Sequence, residues 1–373
     1  MSAKLNFLLV LTMMVLFGCQ TPELEDPVIE DLGMVGVIGF DYVDDEDVKV
    51  TVTLPQPNQD AQEAYQKFTT VVKMPHQAIM DMSTLSEKVL TFAQLRVVLF
   101  SEEYARKIGV WKVLENLYRD PRVGTNVYIA IVKGNVEEIL GGDYKDKPEI
   151  NIYLHELLTP RPMMAFSPIT TLHYFINRKT DEVSEPSVPY LEKVDERSIK
   201  ITKTAIFKSD KLVDTIDPEE AKLFEGLKKK KVLPDIAIML PGEKTAKQEE
   251  AMVILKFVEN RFHSKVNGDL ENPEIYVHLY VRGSIVDYGG QRNLDSVKER
   301  KEIEQKIGKQ LEDKVIKIMK NFQDIGIDPA GIGEQFRLQN SKEWSKEKWN
   351  EAFKNAKITV HVEARIISSG TIR

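Results

Sequence analysis

Two segments of this chain alternate apolar and polar residues without a break, and a long helical stripe separates them. In "IYVHLYVRGSIV" (275–286), Ile275, Val277, Leu279, Val281 and Ile285 share one side, with Tyr276, His278, Tyr280, Arg282 and Ser284 opposite. "KITVHVEARII" (357–367) sets Ile358, Val360, Val362, Ala364 and Ile366 against Thr359, His361, Glu363 and Arg365. Strand side chains point to alternate faces, so each segment predicts one buried and one wet face, as in antiparallel or mixed sheets. Between them Ile303, Ile307, Leu311, Val315 and Met319 recur every fourth residue, widened by Ile318 and Phe322. This predicts a helix over 295–323, about 43 Å long, lying along its own sheet. Glu302–Lys306 and Asp313–Lys317 are ordered as i,i+4 pairs for its exposed side.

The first half mixes the same elements. "KVTVTL" (49–54) alternates as a half-buried strand. A strand around 96–100 runs into Ser101, which can cap a helix whose first turn carries Glu102 and Glu103. Val110, Val113, Leu114 and Leu117 then share a helix face, Asp120-Pro121 ends it, and "NVYIAIVKG" gives another strand. That order predicts a crossover unit. Gly33, Gly36 and Gly39 recur before an acidic turn, Asp44 to Asp47, that repels phosphate, so they indicate close packing in a strand. Residues 157–195 are rich in proline and turn formers. After them "SIKITKTAIF" and "KLVDTID" form a hairpin across Lys208-Ser209-Asp210.

A chain of 373 residues exceeds one ordinary core. The expected fold is therefore α+β or mixed α/β with two or three domains: 32–156 an N-terminal α/β domain, 157–197 a connecting region or part of a small middle domain, 198–373 a C-terminal α+β domain. A net charge of −7 gives no general drive toward nucleic acid. The basic run Lys228 to Lys231 is expected as a solvated helix end or turn. No zinc, nucleotide-loop or nucleophile-elbow motif occurs, and the six histidines lack chelating spacing, so no cofactor, metal or catalytic residue is assigned. His278 and His361, on wet strand faces, are placed to approach each other across a sheet.

The single cysteine, Cys19, follows an apolar run from Leu5 to Phe17 behind a short basic start. That is the plan of a signal peptide over 1–18; its apolar part falls short of the roughly 20 residues that span a bilayer. Leu16-Phe17-Gly18-Cys19 resembles a bacterial lipobox, in which the Cys19 thiol takes a diacylglyceryl group and cleavage leaves it first. Two acyl chains give stable anchoring where one is marginal. The acidic, proline-containing stretch after it, within 19–31, predicts a linker.

Two longer patterns carry a family resemblance. "LRVVLFSEEYARKIGVWKVLENLYRDPRVGTNVYIAIVKGNVEEIL" (95–140) and "DPAGIGEQFRLQNSKEWSKEKWNEAFKNAKITVHVEARIISSGTI" (328–372) resemble the Ger(x)C family, the C subunits of bacterial spore germinant receptors. The chain departs from that pattern at Gly124-Thr125, where a second arginine is expected. The resemblance implies a three-domain α/β lipoprotein without a catalytic site, on the outer face of the spore inner membrane. It also implies assembly with two integral membrane subunits, A-type and B-type, in a receptor that senses nutrients. Tyr276, Tyr280 and Arg282 are the candidate contacts, since exposed aromatics and arginine are favoured at interfaces. The competing reading is a solute-binding lipoprotein that captures a nutrient for a membrane partner.

Overall fold

The computed structural model describes residues 28–56, 65–160, 168, 170–243 and 250–368. Cys19 and the Leu16, Phe17 and Gly18 expectations lie outside them, as does most of the 19–31 linker. The chain begins with β1 (Leu32–Met34), β2 (Val37–Tyr42), β3 (Val48–Pro55), β4 (Tyr65–Val72), α1 (Gln77–Ser83), β5 (Val89–Thr91) and β6 (Val97–Ser101). It continues through α2 (Glu102–Lys107), α3 (Trp111–Arg119), β7 (Tyr128–Val132), α4 (Val136–Leu140), α5 (Ile150–Leu158) and α6 (Leu172–Thr180). Next come β8 (Ser187–Asp195), β9 (Ser198–Lys208) and β10 (Lys211–Ile216).

Eight of these strands form one mixed sheet in the order β10-β9-β8-β7-β6-β2-β3-β4. Its centre is parallel, from β2 through β6 and β7 to β8, and both margins are antiparallel. The predicted crossover is the parallel pair β6 and β7 joined through α2 and α3, with the Ser101 hydroxyl accepting from the Tyr104 amide at 3.3 Å. Helices cover both faces. Val113, Leu114 and Phe175 pack on one side; Val136, Leu140, Ile150 and Leu154 pack on the other.

Two-sided cover corrects the half-buried reading of β3. Thr51 and Thr53 are fully buried, and the Thr53 hydroxyl donates to the Asn151 side chain on α5. The close-packed glycines are what admit that second layer. A Cβ on Gly39 would lie 2.2 Å from Val136, and one on Gly36 would lie 2.5 Å from Asn151. Next to them the buried Asp41 carboxylate accepts from the amides of Val136 and Glu137 at 2.7 and 3.0 Å, closing the start of α4.

The remaining elements are α7 (Pro218–Leu227), β11 (Val232–Leu233), β12 (Ile236–Pro241), β13 (Glu250–Asn267), β14 (Glu274–Tyr288), α8 (Val297–Ile325), α9 (Glu334–Gln339), α10 (Lys346–Asn355) and β15 (Lys357–Ile366). β13 and β14 are antiparallel and β14 and β15 parallel, with β11 and β12 both on β13. α8 begins at a Ser296 cap and ends at Gly326, which takes φ 71°. All five residues of its predicted stripe are buried. It also guards the free edge of β15: Glu304 accepts from the Ile366 amide at 2.8 Å, and a Cβ on Gly308 would meet the Val362 carbonyl at 2.7 Å.

The predicted i,i+4 pairs on α8 take other partners. Glu302 binds Arg292, Lys306 binds Glu243, Asp313 binds Lys309, and Lys317 binds Glu220. For Glu302, Lys306 and Lys317, charges brought close by the fold outcompete neighbours on the same helix, whose pairing is worth only about 0.3–0.5 kcal/mol; Asp313 instead pairs one turn back on α8. The solvated reading of the lysine run also fails at its first residue. The Lys228 side chain is buried, 2.9 Å from Glu225, with its ammonium 5.4 Å from the Tyr174 ring centre.

Ser198, expected to open the second half, starts β9, which pairs with β8 inside the large sheet. The halves are joined by more than chain. Val183, Ile206 and Ile216 belong to the same core cluster as α8 and β14. Lys346 of α10 reaches back to the buried Glu185 at 3.1 Å and to the Ser184 carbonyl at 2.8 Å. Arg337 binds Glu182 at 2.9 Å.

Candidate partner-binding surface

With α7, α8 and α9 packed on one face of the second sheet, the other is left to solvent. The registers there set side chains in rows across three strands. Lys265, Tyr276 and Thr359 form one row, and His263, His278 and His361 the next. Arg261, Tyr280 and Glu363 follow, then Glu259, Arg282 and Arg365. All three candidate contacts therefore stand on one face of β14, two residues apart or a multiple of two, as strand geometry requires.

Local bonds hold these side chains in place. The Tyr276 hydroxyl donates to Glu274 at 2.8 Å, and that carboxylate pushes the phenol pKa up. Arg282 reaches the Glu259 carboxylate through Nε at 2.8 Å and Nη2 at 2.6 Å. The Arg261 guanidinium lies 6.0 Å from the Tyr280 ring centre. The His278 and His361 rings are 5.2 Å apart and tilted by 32°, as their sequence placement predicts. His361 also lies 3.6 Å from Glu312 of α8. Among the described residues no three His, Cys, Asp or Glu side chains gather as a metal cage. Chemically the face offers aromatic edges, imidazoles and paired guanidiniums, the groups of a recognition surface.

His263 escaped the sequence reading because β13 does not alternate cleanly. A bulge at Phe257, where φ is 51°, places two residues opposite one, between the pairs Lys256–Ser284 and Glu259–Arg282. The period therefore breaks midway through the strand.

A cavity of about 840 Å³ in the first half was equally invisible. It opens between α1 and α3, walled by Ile38, Phe40, Phe92, Val113 and Leu117, with Met74 and Met80 at its lining and Arg119 and Arg122 beside them. Arg122 is held bidentate by Asp120, at 3.0 and 2.7 Å. Four separated segments build these walls, so no local motif announces them. Among the described residues no helix is long and apolar enough to cross a membrane.

Comparison with known proteins accounts for both halves. Residues 26–193 match the family model "Spore germination protein N-terminal domain", and 202–370 match "Spore germination B3/GerAC like, C-terminal". The chain is 26% identical to spore germination protein GerQC of Bacillus cereus over 355 residues, covering 95% of this chain and 96% of that one. It is 22% identical to the putative spore germination protein YfkR of Bacillus subtilis over 289 residues, 75% and 72% of the two chains. The crystal structure of the GerBC protein shares the fold at TM-score 0.55 and 18% identity, covering 88% and 96%. From one end of its folded part to the other, this chain belongs to the GerAC-like family of spore germination proteins.

Proposed function

We propose that the chain is a non-catalytic lipoprotein subunit of a nutrient germinant receptor, held on the outer face of the spore inner membrane. In this reading Cys19 carries the lipid, and A-type and B-type integral membrane subunits are the partners. The observation that carries it is the conjunction of whole-chain family membership with a lipobox-like Leu16-Phe17-Gly18-Cys19 ahead of the folded part. Tethering through a short linker raises the effective concentration toward neighbours in the same membrane to the order of mM. Modest patches then suffice for assembly, and the open face bearing Tyr276, Tyr280 and Arg282 supplies one. The test is affinity isolation of the tagged chain from spore membranes. Co-purification of two integral subunits is expected, reduced when Tyr276 and Tyr280 are both replaced by Ala; recovery of the lipidated chain alone contradicts the reading.

The cavity walled by Phe40 and Phe92 favours a second reading, capture of a nutrient solute for a membrane partner. Calorimetry of residues 20–373 against amino acids and sugars separates the two. Micromolar binding supports capture, and silence supports the scaffold.

A further inference from the structure

Exposed large apolar side chains are unevenly spread over this molecule. Val28, Ile29, Met74, Met80, Leu85 and Val89 are each more than half exposed, and all fall within the first quarter of the chain. Among the described residues the others above that mark, Val194, Phe257, Val297, Leu338 and Ile367, are scattered through the rest. The fold draws the six together. β1 and β5 pair in parallel with Leu32 opposite Val89, so Ile29, three residues before β1, and Leu85, four residues before β5, enter the ribbon from the same end. α1, which carries Met80, packs on β4 and β5, and Met74 and Met80 share the wall of the cavity.

This patch surrounds the point where the chain leaves the described fold toward Cys19. Eight residues lie between Cys19 and Val28, nine Cα–Cα steps that reach at most about 30 Å even when fully extended. We propose that the α1 face, with the β1–β5 ribbon, rests on the lipid bilayer itself, its methionine, leucine and valine side chains entering the acyl boundary. The proposal rests on the anchoring of Cys19. Exposed apolar patches mark protein or membrane contact sites, and here the anchor's short reach selects the membrane. Interfacial binding grows with the apolar area buried, so the patch fixes an orientation that the lipid alone leaves free. The cavity mouth beside Met74 and Met80 then faces lipid, and β10, at the far edge of the large sheet, stands about 34 Å away across seven strand spacings.

The test uses the full lipidated chain, purified from membranes in detergent and reconstituted into vesicles of phosphatidylcholine and phosphatidylglycerol containing bromine-labelled acyl chains. An environment-sensitive fluorophore is placed at Leu85→Cys or, as the control on β10, at Lys211→Cys; both sites are exposed. The expected result is a blue shift and loss of most emission at 85, with neither at 211. Vesicle-bound protein with equal responses at the two sites, or the larger one at 211, overturns the orientation and leaves the anchor intact. Protein that fails to bind the vesicles at all overturns the anchoring and the proposal with it. These vesicles hold no other protein, so a patch reserved for a protein partner leaves position 85 unquenched and counts against the bilayer.

Discussion

His278 and His361 face each other across the parallel pair of β14 and β15, their ring centres 5.2 Å apart on the open side of the sheet. Neither supports the core, since both are exposed. Replacing both by Ala is expected to leave the unfolding free energy within about 0.5 kcal/mol of the parent. Recovery of integral subunits on affinity isolation should fall if the face makes the proposed contacts. A large stability loss in urea unfolding would show instead that the row holds the sheet together.

Gly333 illustrates the opposite situation. A Cβ there would sit 2.3 Å from the Trp349 indole, and Trp349 is fully buried, donating to Asp328 at 3.1 Å while that carboxylate also accepts from the Gly333 amide at 2.8 Å. Gly333→Ala should destabilise by roughly 1–3 kcal/mol through overpacking. The measurement is the denaturant midpoint, with loss of the ordered Trp349 environment in near-ultraviolet circular dichroism.

Lys346 and Glu185 tie the two sheets' layers together at 3.1 Å, with Glu185 almost wholly buried and also accepting from the Ser209 amide at 2.8 Å. Burial raises the Glu185 carboxyl above its ordinary value despite the lysine beside it. Lys346→Met leaves that carboxylate without its cation and should cost on the order of 3 kcal/mol. Adding Glu185→Gln should restore part of the loss, and a double variant as unstable as the single one would contradict the pairing.

Glu243 gives a pH signature. Burial alone pushes its carboxyl up, but hydrogen bonds and charge from Lys306 and Arg292 outweigh that and hold it below the usual value of 4.5. The folded pKa thus lies below the unfolded one. Its stabilising contribution is fully present above the unfolded value and fades as pH falls through the folded value. Glu243→Gln should lose roughly 2 kcal/mol near neutrality, and the gap to the parent should close on acidification through the carboxylate range. Urea midpoints measured across that range check the sign; a gap that widens toward acid refutes it.

Local signals were readable where one rule governs. The α8 stripe, the alternation of β14 and β15, the Ser101 cap and the Lys208–Lys211 hairpin all follow from spacing and turn chemistry within a few residues. Misreadings came where distant segments decide. Nothing near Thr51 says that α5 will cover it, and nothing near Lys228 says that Tyr174 will close over it. Three of the helix charges, Glu302, Lys306 and Lys317, paired with tertiary neighbours, and Asp313 took a different same-helix partner, Lys309. The open face was legible for Tyr276, Tyr280 and Arg282 because β14 keeps a strict period, and illegible for His263 because the Phe257 bulge breaks it.

The most direct test concerns Cys19. Intact-mass and tandem mass spectrometry of the protein extracted from membranes should find a polypeptide beginning at Cys19, with a diacylglyceryl group on its sulfur. A mature chain beginning elsewhere, or an unmodified thiol at that position, contradicts the account.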